Sequence, residues 1–238
     1  MSRKTKILIL LLSIPIIYFI YSQYNNKNID YIALGDEISL GINSYGIANY
    51  SYSDYIKDYI NKQDMLNIYT NKLSERNKTI TEQYNDILVN KKIKINNKVY
   101  NIKKLLRESD IVTISLGQND IRHEITNTNK RFISIQDNIM ISKKIFKKYK
   151  NLIEEIKKYC KAEIYLLGTY HRTEQEKIIS DNLNDKLKEY CNKNNINFID
   201  ISYISDDNYF DNNNSNLPNN DAYYKISEQI IDKISLKK

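Results

Sequence analysis

The sequence predicts an α/β fold: a doubly wound parallel sheet covered by helices on both faces. Short apolar runs rich in β-branched residues recur between longer segments with helical spacing of apolar groups. These runs are continuously apolar rather than alternating, the mark of strands buried on both faces. Three of the five glycines, Gly35, Gly117 and Gly168, stand where such runs end.

Taken in order, Asp30 to Leu34 is a buried strand ending at Gly35. The segment from Ser53 to Ile60 has helical periodicity, with Ser53 as the expected N-cap. Met65 to Tyr69 reads as a strand and Thr81 to Val89 as a helix. Lys92 to Val99, with Asn96-Asn97 at its centre, predicts a small hairpin, followed by a helix from Ile102 to Arg107. Ile111 to Leu116 is the clearest strand and runs into Gly117. A long amphipathic stretch from Ile135 to Tyr159 leads to the strand Glu163 to Leu167, closed by Gly168. A helix near Glu174 to Tyr190, a strand from Asn197 to Ile201, an Asn-rich surface loop over Asp206 to Asn220 and a last helix from Asn220 to Ser235 complete the chain. Strands separated by helices of this length pair in parallel, and in such sheets the site forms beyond the carboxyl ends of the strands.

The 238 residues are enough for a full core without staples. Ile (41), Asn (32) and Lys (30) make up 103 of them, a bias that reads as an A/T-rich codon preference rather than a functional signal. The net charge of +7 is therefore discounted. Arg3, Lys4 and Lys6 supply part of it, and the rest is scattered among acids with no Trp in the chain, whereas a nucleic-acid binder shows a clustered basic face. No nucleic-acid partner is expected.

Met1 to Lys6 is basic, and Ile7 to Tyr21 is apolar or aromatic apart from Ser13 and Pro15. A basic stretch followed by an apolar one is an export signal. Ser22-Gln23-Tyr24-Asn25 offers no small-x-small cleavage site, so residues 1–24 are read as a signal-anchor, with residues 25–238 as the working domain outside the membrane. Signal cleavage and secretion is the alternative. Cys160 and Cys191 each precede an apolar run and admit either a disulfide or two free thiols.

Three motifs lie at the strand ends. Ala33-Leu34-Gly35-Asp36-Glu37-Ile38-Ser39-Leu40-Gly41 resembles the first block of the SGNH/GDSL hydrolases, where Gly-Asp-Ser precedes a hydrophobic residue. Ser115-Leu116-Gly117-Gln118-Asn119-Asp120 is similar to the family's Gly-x-Asn-Asp block. Leu217-Pro218-Asn219-Asn220-Asp221 resembles its Asp-x-x-His-Pro-Asn block, which precedes the terminal helix. The resemblance runs from Asp30 to the end of the chain. It implies a flavodoxin-like three-layer sandwich with a five-stranded parallel sheet, and ester hydrolysis without a cofactor.

That resemblance also implies what has been replaced. Glu37 stands at the nucleophile position, Leu217 at that of the base histidine, and Asn214 at that of its acidic partner. Asn77 takes the place of the glycine whose N–H enters the oxyanion hole. Asn119, whose amide completes that hole, is the functional residue that matches; Asp36, Gly117 and Asp120 complete the pocket set. An ionised carboxylate at Glu37 would sit where a tetrahedral oxyanion develops, and Leu217 accepts no proton. The expectation is a non-catalytic family member that binds a cell-envelope glycan, an acyl chain or a protein partner.

Two further readings stay open. A divergent esterase or deacetylase would use Ser39 as a shifted nucleophile, or His123 or His171 as a substitute base; a purely structural envelope subunit would use the domain as a surface. A paired-carboxylate mechanism at Asp36 and Glu37 is disfavoured, because neighbours on an extended strand end point apart. Glu37, His123, Asp120 and Glu124 lack metal-ligand spacing. Tyr45, Tyr50, Tyr52, Tyr55 and Tyr59 are read as core and rim packing near the pocket mouth rather than a sugar-stacking platform.

Overall fold

The computed structural model describes residues 28–128, 133–212 and 215–236. The segment 1–24 and Asn214 lie outside these residues. Among the described residues no helix is long and apolar enough to cross a membrane.

Five parallel strands form one sheet: β1 (Ile29–Gly35), β2 (Leu66–Thr70), β5 (Ile111–Ser115), β6 (Glu163–Leu167) and β7 (Asn197–Ile199), ordered β2-β1-β5-β6-β7. Counting only the sheet's own strands, this is the 2-1-3-4-5 order of flavodoxin-like folds. Alternate residues of β1 explain the layering. Ile32 and Leu34 enter one core with Val112, Ile114 and Leu166, while Tyr31 and Ala33 enter the opposite core with Tyr165 and Leu167. Both faces are thus apolar and both are covered.

Helices α1 (Glu37–Leu40), α2 (Tyr52–Asn61), α3 (Ile80–Leu88), α4 (Ile102–Glu108), α5 (Gln118–Asn127), α6 (Ile135–Lys157), α7 (Glu174–Lys193) and α8 (Asn220–Ile231) supply the outer layers. Residues of α2 and α8 fill one core; those of α3, α4, α6 and α7 fill the other. Ser51, not Ser53, caps α2: its hydroxyl accepts from the N–H of Asp54 while the Asp54 carboxylate accepts from the N–H of Ser51. Such reciprocal caps satisfy two orphan donors at once, and Thr79 with Glu82 does the same for α3. Ser53 instead bonds the Tyr69 hydroxyl at 2.8 Å.

Strands β3 (Lys92–Ile95) and β4 (Lys98–Asn101) form the expected hairpin, turned by Asn96 and Asn97 with φ of 45° and 64°. Two successive left-handed residues match the twist of a two-residue hairpin, and asparagine tolerates that conformation. The last strand stops at Ile199 rather than Ile201, and two short 3₁₀ turns, Ser202–Ser205 and Asp207–Tyr209, carry the chain onward. Both thiols are free and buried; desolvation pushes Cys191 up to about 12.

The domain begins and finishes at one pole. Ile29 and Ile111, at the starts of β1 and β5, share a cleft of about 220 Å³ with Ile234 and Leu236. The three motif blocks are at the other pole.

Candidate functional site: a carboxylate between two N–H donors

The first motif turns sharply out of β1. A Cβ on Gly35 would stand 2.4 Å from the Ser115 carbonyl and 2.5 Å from the Ser39 hydroxyl, so only glycine fits between β1 and β5 there. Asp36 then caps α1, its Oδ1 accepting from the N–H of Ile38 at 3.0 Å. Glu37 is therefore the first residue of a helical turn rather than the end of an extended strand, which corrects the basis on which the two carboxylates were expected to point apart.

Glu37 is 7% exposed, and both its oxygens are engaged. Oε1 accepts from the backbone N–H of Asn77 at 2.6 Å, and Oε2 accepts from Nδ2 of Asn119 at 3.0 Å. Asn77 delivers its N–H from the left-handed region, at φ 57°, where glycine or asparagine is comfortable. Asn119 lies in the first turn of α5, launched by Gly117 at φ 94°, where a Cβ would meet the Tyr149 hydroxyl at 2.6 Å. The Asn119 amide also donates to the Lys78 carbonyl at 3.2 Å. Two N–H donors, one from the turn before α3 and one from the first turn of α5, thus converge on one carboxylate, the arrangement an oxyanion hole requires.

Burial, and then the neighbouring Glu37 carboxylate, push Asp36 up to about 8. Arg122 opposes this from α5. Three residues after Asn119, it lies on the same side of that helix, and its guanidinium donates to the Asn216 carbonyl at 3.1 Å. Tyr170, after β6, donates to the same carbonyl at 2.6 Å. The loop carrying Leu217 is thereby pinned beside the site, with the Leu217 carbonyl accepting from Ser44 at 2.6 Å. Arg122, Tyr170 and Ser44 were not singled out from the sequence, although the i, i+3 spacing from Asn119 to Arg122 was there to be read.

Ser39, His171, Asp120 and Glu124 have structural partners. Ser39 is fully buried, with its hydroxyl among Ser115 Oγ (2.8 Å), Tyr52 OH (3.1 Å) and the Leu34 carbonyl. No imidazole reaches it. His123 is exposed on α5. His171 Nδ1 lies 3.0 Å from the Ser205 hydroxyl, which also accepts the His171 N–H. Asp120 is fully buried and pins α3, accepting from the N–H of Ile80 at 2.9 Å and from Lys148 at 2.9 Å. Glu124 also binds Lys148. Among the described residues no group of three potential ligands could hold a metal ion. Behind Asp36, Gln118 and Tyr170 only about 10 Å³ is open, room for one water at most.

The family description "GDSL-like Lipase/Acylhydrolase family" matches residues 33–225. The chain belongs to this GDSL-like family. Among solved structures, a lipase from a goat rumen metagenome, Lip_vut3, aligns at a TM-score of 0.69 and 17% identity, covering 86% of this chain and 97% of that one. An extracellular lipase from Streptomyces rimosus gives 0.60 and 14%, covering 87% and 100%. A member of the lipolytic G-D-S-L family from Veillonella parvula gives 0.59 and 15%, covering 88% and 100%. No curated protein matches the chain. The GDSL-like fold is thus present, and Asn77 and Asn119 hold a carboxylate of the chain itself.

Proposed function

We propose that this GDSL-like protein is non-hydrolysing and acts by binding at the cell envelope, held outside the membrane by residues 1–24. The supporting observation is the Glu37 carboxylate between Asn77 and Asn119. An ester carbonyl needs those two donors as its oxygen gains charge, and losing even one costs about 10²–10³ in rate. Here both are committed to an anion that would repel a second one. The nucleophile position carries no hydroxyl, and Leu217 supplies no base. Ser39 is sealed in a hydroxyl network, so it does not replace the missing serine. The partner class is an envelope glycan, an acyl chain or another envelope protein.

The test is to incubate the full-length chain in detergent with short-chain aryl esters and with a serine-reactive fluorophosphonate. Neither turnover nor labelling is expected. A serine-dependent signal lost on mutating Ser39, His123 or His171 would refute the reading. Protease protection of the domain in intact cells checks the location.

A further inference from the structure

A large concave surface lies away from the carboxylate site, between α2 and α8. It is a groove of about 680 Å³, within the range of ordinary ligand sites. Tyr50, Tyr55, Tyr59 and Tyr224 line it. This corrects the expectation that the tyrosines near the first motif gather at the site mouth: Tyr52 points into the core, Tyr45 is exposed outside the groove, and Tyr50, Tyr55 and Tyr59 form this wall. The Tyr50 and Tyr55 rings meet edge-on at 4.7 Å and 76°, and Tyr55 meets Tyr224 at 5.3 Å and 78°. Rings that fix one another in this way are ordered before any ligand arrives, so little freedom is lost on binding.

The groove carries little net charge. Its lining holds three acids, Asp58, Glu228 and Asp232, against two lysines, Lys62 and Lys225. Lys57, beside the lining, pairs with Asp58 at 3.1 Å, and Lys225 pairs with Glu228 at 3.1 Å. The Tyr50 hydroxyl is held by Asp58, whereas among the described residues those of Tyr55, Tyr59 and Tyr224 show no hydrogen-bond partner, which leaves them open to a ligand that offers donors and acceptors. An acyl chain would leave these groups unpaired, and a strongly charged ligand would find no net opposite field. Flat C–H faces for the rings and hydroxyls for the phenols describe a sugar chain.

We infer that the groove between α2 and α8 binds an uncharged oligosaccharide, with Tyr55 and Tyr224 as its stacking residues. The inference is independent of whether the carboxylate site turns over esters.

Titration of the full-length chain with cellotetraose, xylotetraose, chitotetraose and maltotetraose, followed by calorimetry and tyrosine fluorescence, tests it. At least one should bind saturably below about 10 mM, the weak end of specific affinity. Tyr224→Ala, at a half-exposed position, and Tyr55→Ala should each weaken binding roughly fivefold or more, as losing an aromatic contact does. Tyr224→Phe should keep most of the affinity and Tyr45→Ala, outside the groove, all of it. Three outcomes overturn the inference: no tetrasaccharide binds; binding is indifferent to Tyr55 and Tyr224; or the two alanine variants lose adsorption to phosphatidylglycerol vesicles that no tetrasaccharide competes with. Ester turnover in the same sample would refute the non-hydrolysing reading and leave this one standing.

Discussion

Oε2 of Glu37 accepts a 3.0 Å hydrogen bond from Nδ2 of Asn119, 82 positions along the chain, while Oε1 takes the N–H of Asn77. The scaffold therefore supplies its own anion. Emptying the hole alone should not create an enzyme. Glu37→Ser is expected to stay at buffer background with aryl esters, because Leu217 still accepts no proton. The triple variant Glu37→Ser, Asn214→Asp, Leu217→His is expected to label with fluorophosphonate. Turnover by the single variant would show that a base is present elsewhere.

Asp36 gives the site a pH signature. Its carboxyl is raised to about 8 in the fold, against about 4 in an unfolded chain, by burial first and by Glu37 second. The folded state thus holds a proton that the unfolded state releases. Its contribution to stability is complete below about pH 4, falls as pH rises between about 4 and 8, and then levels. Asp36→Asn, which keeps the cap on Ile38, should flatten that part of the profile relative to wild type in urea melts at stepped pH. Glu37→Gln should shift the window to lower pH. Parallel wild-type and Asp36→Asn profiles would be incompatible with a buried, protonated Asp36.

Asn77 holds its N–H on Glu37 from a left-handed backbone. Asn77→Gly should cost less than about 0.5 kcal/mol, because glycine accepts the same φ without strain. Asn77→Ala should cost about 1–2 kcal/mol. Equal urea midpoints for the two would mean that the left-handed turn is not what the position requires.

The pair of buried Asp120 and half-buried Lys148 is structural. Asp120→Ala leaves the N–H of Ile80 without its acceptor and Lys148 with Glu124 alone, and should cost about 1–3 kcal/mol in chemical denaturation. Asp120→Asn keeps an acceptor for Ile80 and should cost less. A near-neutral Asp120→Ala would contradict the pinning of α3.

The layered fold was legible because burial on both faces forces continuous apolar strands, and because Gly35 has no room for a side chain between β1 and β5. The cap of α2 was readable too: Ser51 stands three residues before Asp54, the spacing of a reciprocal cap, whereas Ser53 comes two residues later, inside the helix. Helical periodicity also separates Tyr52 and Ile56, which point inward, from Tyr55 and Tyr59 on the outer side; grouping tyrosines by nearness along the chain concealed this. The site's residues could be nominated from motifs. Their engagement could not, since it depends on the rotamer of Glu37 and on donors brought from 40 and 82 positions away.

The shared pole of Ile29 and Leu236 has a topological consequence. A short linker closing that gap would let the chain be circularly permuted, with new ends cut in the exposed Asn96-Asn97 turn, without touching any strand of the main sheet. Reporter proteins fused after Leu236 would likewise sit at the far end from Glu37 and leave its surroundings unobstructed.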